Sequence, residues 1–233
     1  MKTYLQLVNN VLKALREDQT SSVVADSYID LIGKFVNDAK SQVEDAWDWS
    51  AYNEIRTATV AAGASFFVLP NTNNRVKLEM VAIESDAGGW RDAGTNSLLI
   101  EIPRKAILLK VFTSTTGAAG IPTHYANNGV DSNGDARIAV SPPALKVSKV
   151  MVSGFFRPSD LVSNDDTLLI PYAPVQDLAV AMAVREGGEA AGQTSAEYFQ
   201  LAKRSLSDAI AYDSARNAEE TDWHVDHIEY RGL

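Results

Sequence analysis

Two segments with helical periodicity open the chain. Apolar residues recur at three- and four-residue steps over residues 3–16 and again over residues 25–49. Thr3 and Gln6 have the spacing of a capping box, which predicts the start of the first helix. Gly33 lies within the second helical segment, where glycine costs a helix about 1 kcal/mol relative to Ala. We therefore expect a close helix contact at Gly33.

From about residue 54 the pattern changes to β-type. Runs rich in β-forming residues are separated by Gly, Pro, Asn and Asp. The runs cover residues 54–60, 65–69, 77–83, 98–102, 136–140 and 146–156. Asn133-Gly134 predicts a hairpin. Residues 105–112 fit either a strand or a short helix that begins at Pro103. Short strands at this spacing predict an antiparallel sandwich or barrel.

Helical periodicity returns after Pro171. One apolar stripe ends near Gly187, and a second capping box at Thr194 and Glu197 predicts another helix to about residue 215. Between residues 213 and 229 the chain carries six acidic residues against a single basic one. This composition predicts an extended tail.

The sequence therefore predicts an α+β fold, in which N- and C-terminal helices form one bundle and an antiparallel β-sandwich or barrel is inserted between them. The expected boundaries are 1–53 for the N-terminal helices and 54–170 for the inserted subdomain. Residues 171–215 form the C-terminal helices, and residues 216–233 form the acidic tail.

The composition of the chain excludes several classes of function. The 233 residues carry a formal net charge of −9 and include no cysteine. Cysteine nucleophiles, disulfides and thiolate metal sites are thereby excluded. An acidic chain is not expected to bind nucleic acids, because such binding needs clustered Lys and Arg. No apolar run approaches the ~20 residues that span a bilayer, so no membrane span is expected.

Candidate catalytic motifs are sparse. His124 stands alone in a predicted loop, and no phosphate-binding glycine motif is present. His224 and His227, beside Asp222 and Asp226, fit either a metal site or a polar tail. Residues 131–135 have calcium-loop chemistry but the wrong glycine position, which favours a plain turn. The sequence predicts neither an enzyme nor a cofactor or metal site.

Several short blocks of sequence can be compared with known families by their order and spacing. Glu44-Asp45-Ala46-Trp47-Asp48-Trp49 ends the long helix, and Phe67-Val68-Leu69-Pro70 follows. Gly120-Ile121-Pro122-Thr123-His124-Tyr125, Ser141-Pro142-Pro143 and Leu169-Ile170-Pro171 complete the series. Together they cover most of residues 4–215. In these features the chain resembles the head-to-tail adaptor family of tailed phages, which includes the tail tubular protein A type.

The resemblance implies a structural virion protein at the capsid vertex. Members of that family form rings, usually of twelve subunits, between the portal protein and the tail or its nozzle. DNA passes through the lumen without specific binding, and assembly takes place in the host cytoplasm. Two alternatives remain open: another phage neck or tail-completion protein, or a carbohydrate-binding sandwich with Trp90 as its platform.

The candidate partner-binding residues lie in the acidic tail and at the end of the long helix. In the acidic tail they are Trp223, His224, Ile228 and Tyr230. They would anchor a docking arm on a partner surface, or belong to a disordered end. Trp49 is a further candidate, because it and Trp47 point to different faces of the long helix.

Overall fold

The computed structural model describes residues 1–72, 75–84, 96–113, 119–187 and 192–228. It divides into two compact units. The helical unit comprises residues 1–51 and 160–233, and the sandwich unit comprises residues 52–159. The second boundary lies before the expected residue 170, because residues 160–170 pair and pack with the N-terminal helices.

The described residues form helices and mainly antiparallel strands, which confirms the α+β prediction. The helices are α1 (Tyr4–Leu15), α2 (Ser27–Ala46), α3 (Arg104–Thr113), α4 (Tyr172–Glu186) and α5 (Gly192–Ile228). The first five strands are β1 (Lys2–Thr3), β2 (Asn53–Val60), β3 (Phe66–Leu69), β4 (Val76–Glu84) and β5 (Asn96–Leu98). The others are β6 (Ile100–Glu101), β7 (His124–Val130), β8 (Ala136–Ser141), β9 (Ser148–Phe156) and β10 (Thr167–Leu168).

In the helical unit, α4 packs against α1, α2 and α5. The predicted capping box at Thr3 is confirmed, since the Thr3 hydroxyl accepts from the Gln6 amide and Gln6 Oε1 accepts from the Thr3 amide. A side chain on Gly33 would collide with the Tyr4 hydroxyl. The expected close contact is thus the crossing of α1 and α2.

Two element boundaries in this unit differ from the predictions. α5 begins at Gly192, so Thr194 lies within the helix and the second capping box is wrong. α2 ends at Ala46, short of residue 49, where Trp47 adopts an extended conformation. The strand β10, which was not predicted, pairs with β1 through Lys2↔Leu168 and Thr3↔Thr167.

In the sandwich unit, two four-stranded sheets have the orders β2-β9-β4-β5 and β3-β8-β7-β6. Only the β6–β7 pair among the named strand pairs is parallel. One apolar core joins inward residues of both sheets: Val60, Phe67, Leu69, Val81, Ile83, Leu99, Tyr125, Ile138, Val140, Ala144, Val150, Val152 and Phe156. This is the arrangement that alternating strand patterns produce when two inner faces pack together.

The ambiguous segment at residues 105–112 is helical. Carbonyl oxygen of Pro103 accepts from the amides of Ala106 and Ile107, which begins α3. Ile107 is completely buried against Ala126 and Ala139 of β7 and β8. α3 therefore covers the outer face of the sheet that contains those strands.

Candidate interaction surfaces

The C-terminal candidates lie in a helix rather than in an extended segment. α5 continues to Ile228, so the predicted extended tail is wrong for residues 216–228. Trp223, His224 and Ile228 belong to the last turns of α5, and their side chains are outside the described part of the structure, as are those of Asp222, Asp226 and His227. Tyr230 lies outside the described residues. Acidity suggested a solvated coil, but Ala and Glu are strong helix formers.

Trp49 is a core residue. It is only 1% exposed, and its Nε1 donates to the carbonyl of Val43 at 2.8 Å. Trp49 therefore lies in the core of the helical unit, and its expected partner role stays a prediction. The pattern of two tryptophans showed that they face different ways but did not show which one was inside.

Trp47 is half-buried and takes part in a polar network around Asp213 of α5. The Asp213 carboxylate accepts from Trp47 Nε1 at 3.1 Å, from the Ser50 amide at 3.0 Å and from the Ser50 hydroxyl. Asp213 is 7% exposed, so three donors compensate for its burial. The network fixes α5 to the segment that follows α2.

A groove of about 580 Å³ lies beside this network. Tyr172 and Tyr212, which are 46% and 73% exposed, stand at its wall. Its other lining residues are Met1, Trp49, Ser50, Ala51, Leu169, Ile170, Pro171, Ala209, Asp213 and Arg216. Asp213 is hydrogen-bonded within the unit, so the groove combines apolar side chains with the charged side chain of Arg216.

Of the residues singled out for catalysis or metal binding, His124 and residues 131–135 lie in the described part of the structure. His124 is the first residue of β7 and not a loop residue, and its Nδ1 lies 2.8 Å from the Thr123 hydroxyl. In residues 131–135, the Asp131 carboxylate accepts from the amides of Asn133 and Asp135. Gly134 has a φ of 84°, which suits glycine. The turn interpretation is confirmed, because the Asp131 amide also donates to the Asp135 carbonyl and the Gly134 amide donates to the Asp131 carbonyl.

The sandwich unit exposes an apolar, basic loop region, which we call the sandwich tip and define as Ile121, Leu145, Lys146, Val147 and Lys149. Its apolar members are 48%, 65% and 64% exposed in that order. Both lysines are exposed, and residues 136–159 contain four basic residues and no acidic one.

Backbone hydrogen bonds fix the sandwich tip in place. The Ala144 carbonyl accepts from the Gly63 amide at 2.7 Å, and the Ala144 amide donates to the Ala64 carbonyl at 3.0 Å. On the other side, the Leu145 amide donates to the Gly120 carbonyl at 2.9 Å. Ala144 is completely buried. The neighbouring side chains of Leu145 and Val147 are thus presented to solvent by an ordered backbone.

The helical unit exposes a second apolar region, formed by Val24, Tyr28 and Val162. These residues are 72%, 44% and 74% exposed. The amide of Val23 donates to Asn164 Oδ1 at 3.0 Å, which places the loop before α2 beside the loop that contains Val162. Nδ2 of Asn164 donates back to the Ser21 carbonyl at 3.4 Å.

Acidic side chains surround that region. Glu17, Asp26, Asp30 and Asp160 are exposed. Burial raises the pKa of Tyr28, and the charge of Glu17 raises it further. Burial, and then the charges of Asp30 and Asp160, raises the pKa of Tyr4 to about 12. Glu17 therefore lies near Tyr28, and Asp30 and Asp160 lie near Tyr4. We call Val24, Tyr28, Val162 and these four acids the acidic apolar surface.

Charge is distributed unevenly between the two units. The helical unit has 10 Lys and Arg against 22 Asp and Glu, a net charge of −12. The sandwich unit has 11 Lys and Arg against 8 Asp and Glu, a net charge of +3. The overall charge of −9 conceals this difference, which emerges only when the boundaries of the units are known.

Sequence reasoning missed both exposed apolar regions. Val147 was assigned to the beginning of a strand over residues 146–156, whereas β9 starts at Ser148, and Leu145 was assigned no role. The signal that could have identified them is Pro142-Pro143, which delays the strand, followed by apolar and basic residues in alternation.

Within the described ranges, no group of three or more His, Asp or Glu residues is placed to hold a metal ion. Among the helices searched over the same residues, none is long and apolar enough to span a membrane. Trp90, on which the carbohydrate-binding alternative depended, lies outside the described residues.

The comparison with protein families gives one match. The model of the SU10 adaptor protein family matches residues 2–224. The match therefore covers the whole sandwich unit and most of the helical unit. No curated protein matches the chain at a significant level.

Proposed function

The chain belongs to the SU10 adaptor protein family, a family of phage adaptors, and we propose that it is the subunit of a ring that joins the portal to the tail. The family is structural, so the chain is a component of a virion. The observation that carries the proposal is the match over residues 2–224, since it includes both units.

A ring of identical subunits needs two different surfaces that meet between neighbours. Two exposed apolar regions with different charge are available, one on each unit. We propose twelve subunits, as the resemblance to head-to-tail adaptors implies. Host-cytoplasmic assembly is part of the same proposal.

DNA would pass through the lumen of this ring without specific binding. The helical unit, with a net charge of −12, suits the lining of such a conduit because acidic side chains repel phosphates. A nucleic-acid grip would instead need clustered basic residues. Filter binding should detect no sequence-specific DNA affinity, and a tight complex at physiological salt would contradict a passive conduit.

For contact with the portal, we propose the C-terminal end of α5, including Trp223, His224 and Ile228, with Tyr230 beyond it. α5 has 37 residues, a length of about 55 Å at 1.5 Å per residue. Its partner α4 has only 15 residues. A helix so much longer than its neighbour has the reach to contact another protein.

Light scattering and negative-stain imaging test the ring, using the purified chain alone and mixed with its cognate portal. A ring in either sample is the expected result, including a ring that forms only on the portal. A chain that stays monomeric and does not bind the portal would contradict the proposed function.

A further inference from the structure

The sandwich tip exposes large apolar side chains that the sandwich unit itself does not bury. Leu145 and Val147 are each about two-thirds exposed although the neighbouring Ala144 is completely buried. Its backbone is held on both sides, by Gly63 and Ala64 and by Gly120. An ordered loop loses little conformational entropy on binding, so this surface is preorganised for a partner.

The acidic apolar surface has the complementary chemistry. It presents three exposed apolar side chains, as the tip does, but its exposed charges are mainly carboxylates. The salt bridge from Lys34 to Asp30, at 2.8 Å, offsets one of them. Glu17 and Asp160 remain to face the two lysines of the tip, and Asp26 adds its negative charge while its Oδ1 caps α2 by accepting from the amides of Tyr28 and Ile29. Apolar centres flanked by opposite charges are the usual composition of a specific protein interface.

We propose that the sandwich tip of one subunit binds the acidic apolar surface of a second copy of this chain. The inference rests on the proposed ring and names the contact between its neighbours. Leu145, Val147 and Ile121 pack against Val24, Tyr28 and Val162, while Lys146 and Lys149 face the carboxylates. Each copy contributes one surface to each neighbour, so the contact is heterologous, the type of contact from which a closed ring is built.

Cysteine cross-linking tests the contact directly, because the chain has no cysteine of its own. Val147→Cys and Val162→Cys are prepared separately and as a double variant, since both side chains are well exposed. Assembled rings are treated with a short bismaleimide. A mixture of the two single variants should give covalent dimers, and the double variant should give a ladder of oligomers. Either single variant alone should stay monomeric on a denaturing gel.

Charge reversal tests the electrostatic attraction between the sandwich tip and the acidic apolar surface. Lys146→Glu with Lys149→Glu should raise the protein concentration for half-maximal ring formation by about tenfold or more. Adding Glu17→Lys and Asp160→Lys should restore assembly, because the charges are exchanged between the surfaces. The matched control is Lys105→Glu with Lys203→Glu, which has the same charge change at exposed positions outside both surfaces. It should assemble as the unmodified chain does.

The outcomes separate this inference from the proposed function. Rings that form without cross-linked product, or that tolerate the reversal at Lys146 and Lys149, overturn the inference and leave the adaptor ring standing. A product that joins residue 147 to the portal also overturns it. If the unmodified chain forms no ring with or without portal, the proposed function itself fails.

Discussion

Among individual residues, the most unusual pair lies inside the helical unit. Lys40 and Glu44, one turn apart on α2, form an ion pair of 3.0 Å, and both side chains are completely buried. Burial of two charges is expensive and is tolerated only when each compensates the other. The same helix carries an exposed pair with the same spacing, Asp30 and Lys34. The two pairs permit a controlled comparison of the effect of burial.

Lys40→Met should lower the free energy of unfolding by about 3–5 kcal/mol, because it removes the ion pair from the buried carboxylate of Glu44. Adding Glu44→Leu should recover most of the loss. Lys34→Met, the matched exposed control, should cost less than about 1 kcal/mol. Urea unfolding followed by circular dichroism measures all three. Equal stability of the Lys40 and Lys34 variants would contradict the burial argument.

Gly33 sits where α1 and α2 approach most closely, against Tyr4. A Cβ at Gly33 would overlap the Tyr4 hydroxyl but would lie 3.3 Å from its Cζ. Gly33→Ala should therefore destabilise the unit by about 1–3 kcal/mol, despite the better helix propensity of Ala. Tyr4→Phe removes the overlapping oxygen and should largely rescue the variant. A double-mutant cycle in urea would show no coupling if the contact were unimportant.

At the scale of elements, periodicity predicted α1, α2, α4 and most of the strands, because each of these buries one face. Periodicity did not predict the elements that form without burying one apolar face. α5 continues past Arg216 in an acidic stretch that lacks a clear apolar stripe. β10 has only two residues and depends on pairing with β1, a contact about 165 positions away in sequence. Such a contact leaves no local signal.

The distal part of α5 is helical, whereas the sequence predicted an extended tail there. Deleting residues 217–233 should reduce the far-ultraviolet helical signal, since residues 217–228 are helical. Deleting only residues 229–233 is the comparison, and the longer deletion should lose more of the helical signal than this one. The longer deletion should leave the unfolding midpoint nearly unchanged and weaken attachment to the portal. Undiminished helical signal would contradict the helix, and undiminished attachment would contradict its role as a portal contact.

The candidate surfaces could be predicted less well than the fold. Trp49 was a partner-binding candidate because it and Trp47 point to different faces, yet its indole donates to the Val43 carbonyl inside the core. The exposure of Leu145 depends on how Ala144 is held between Gly63 and Gly120. These long-range hydrogen bonds exist only in the folded unit. Sequence pattern identifies apolar residues, but tertiary contacts decide which of them reach the surface.

For the whole molecule, the unequal charges of the two units give the assembly a testable salt dependence. If the basic sandwich tip meets the acidic apolar surface of a neighbour, added salt screens their attraction over a Debye length of about 8–10 Å at physiological ionic strength. Raising the salt concentration should shift mass-photometry distributions from rings toward smaller species. Rings that are equally stable at low and high salt would indicate an interface dominated by apolar contact.

Image reconstruction of the neck of the intact phage particle tests the central claim most directly. The account predicts a ring of this chain immediately below the portal, with a helical unit and a sandwich unit resolved in each subunit and an open channel at its centre. Density for this chain elsewhere in the particle, or a neck without it, would contradict the assignment as a head-to-tail adaptor.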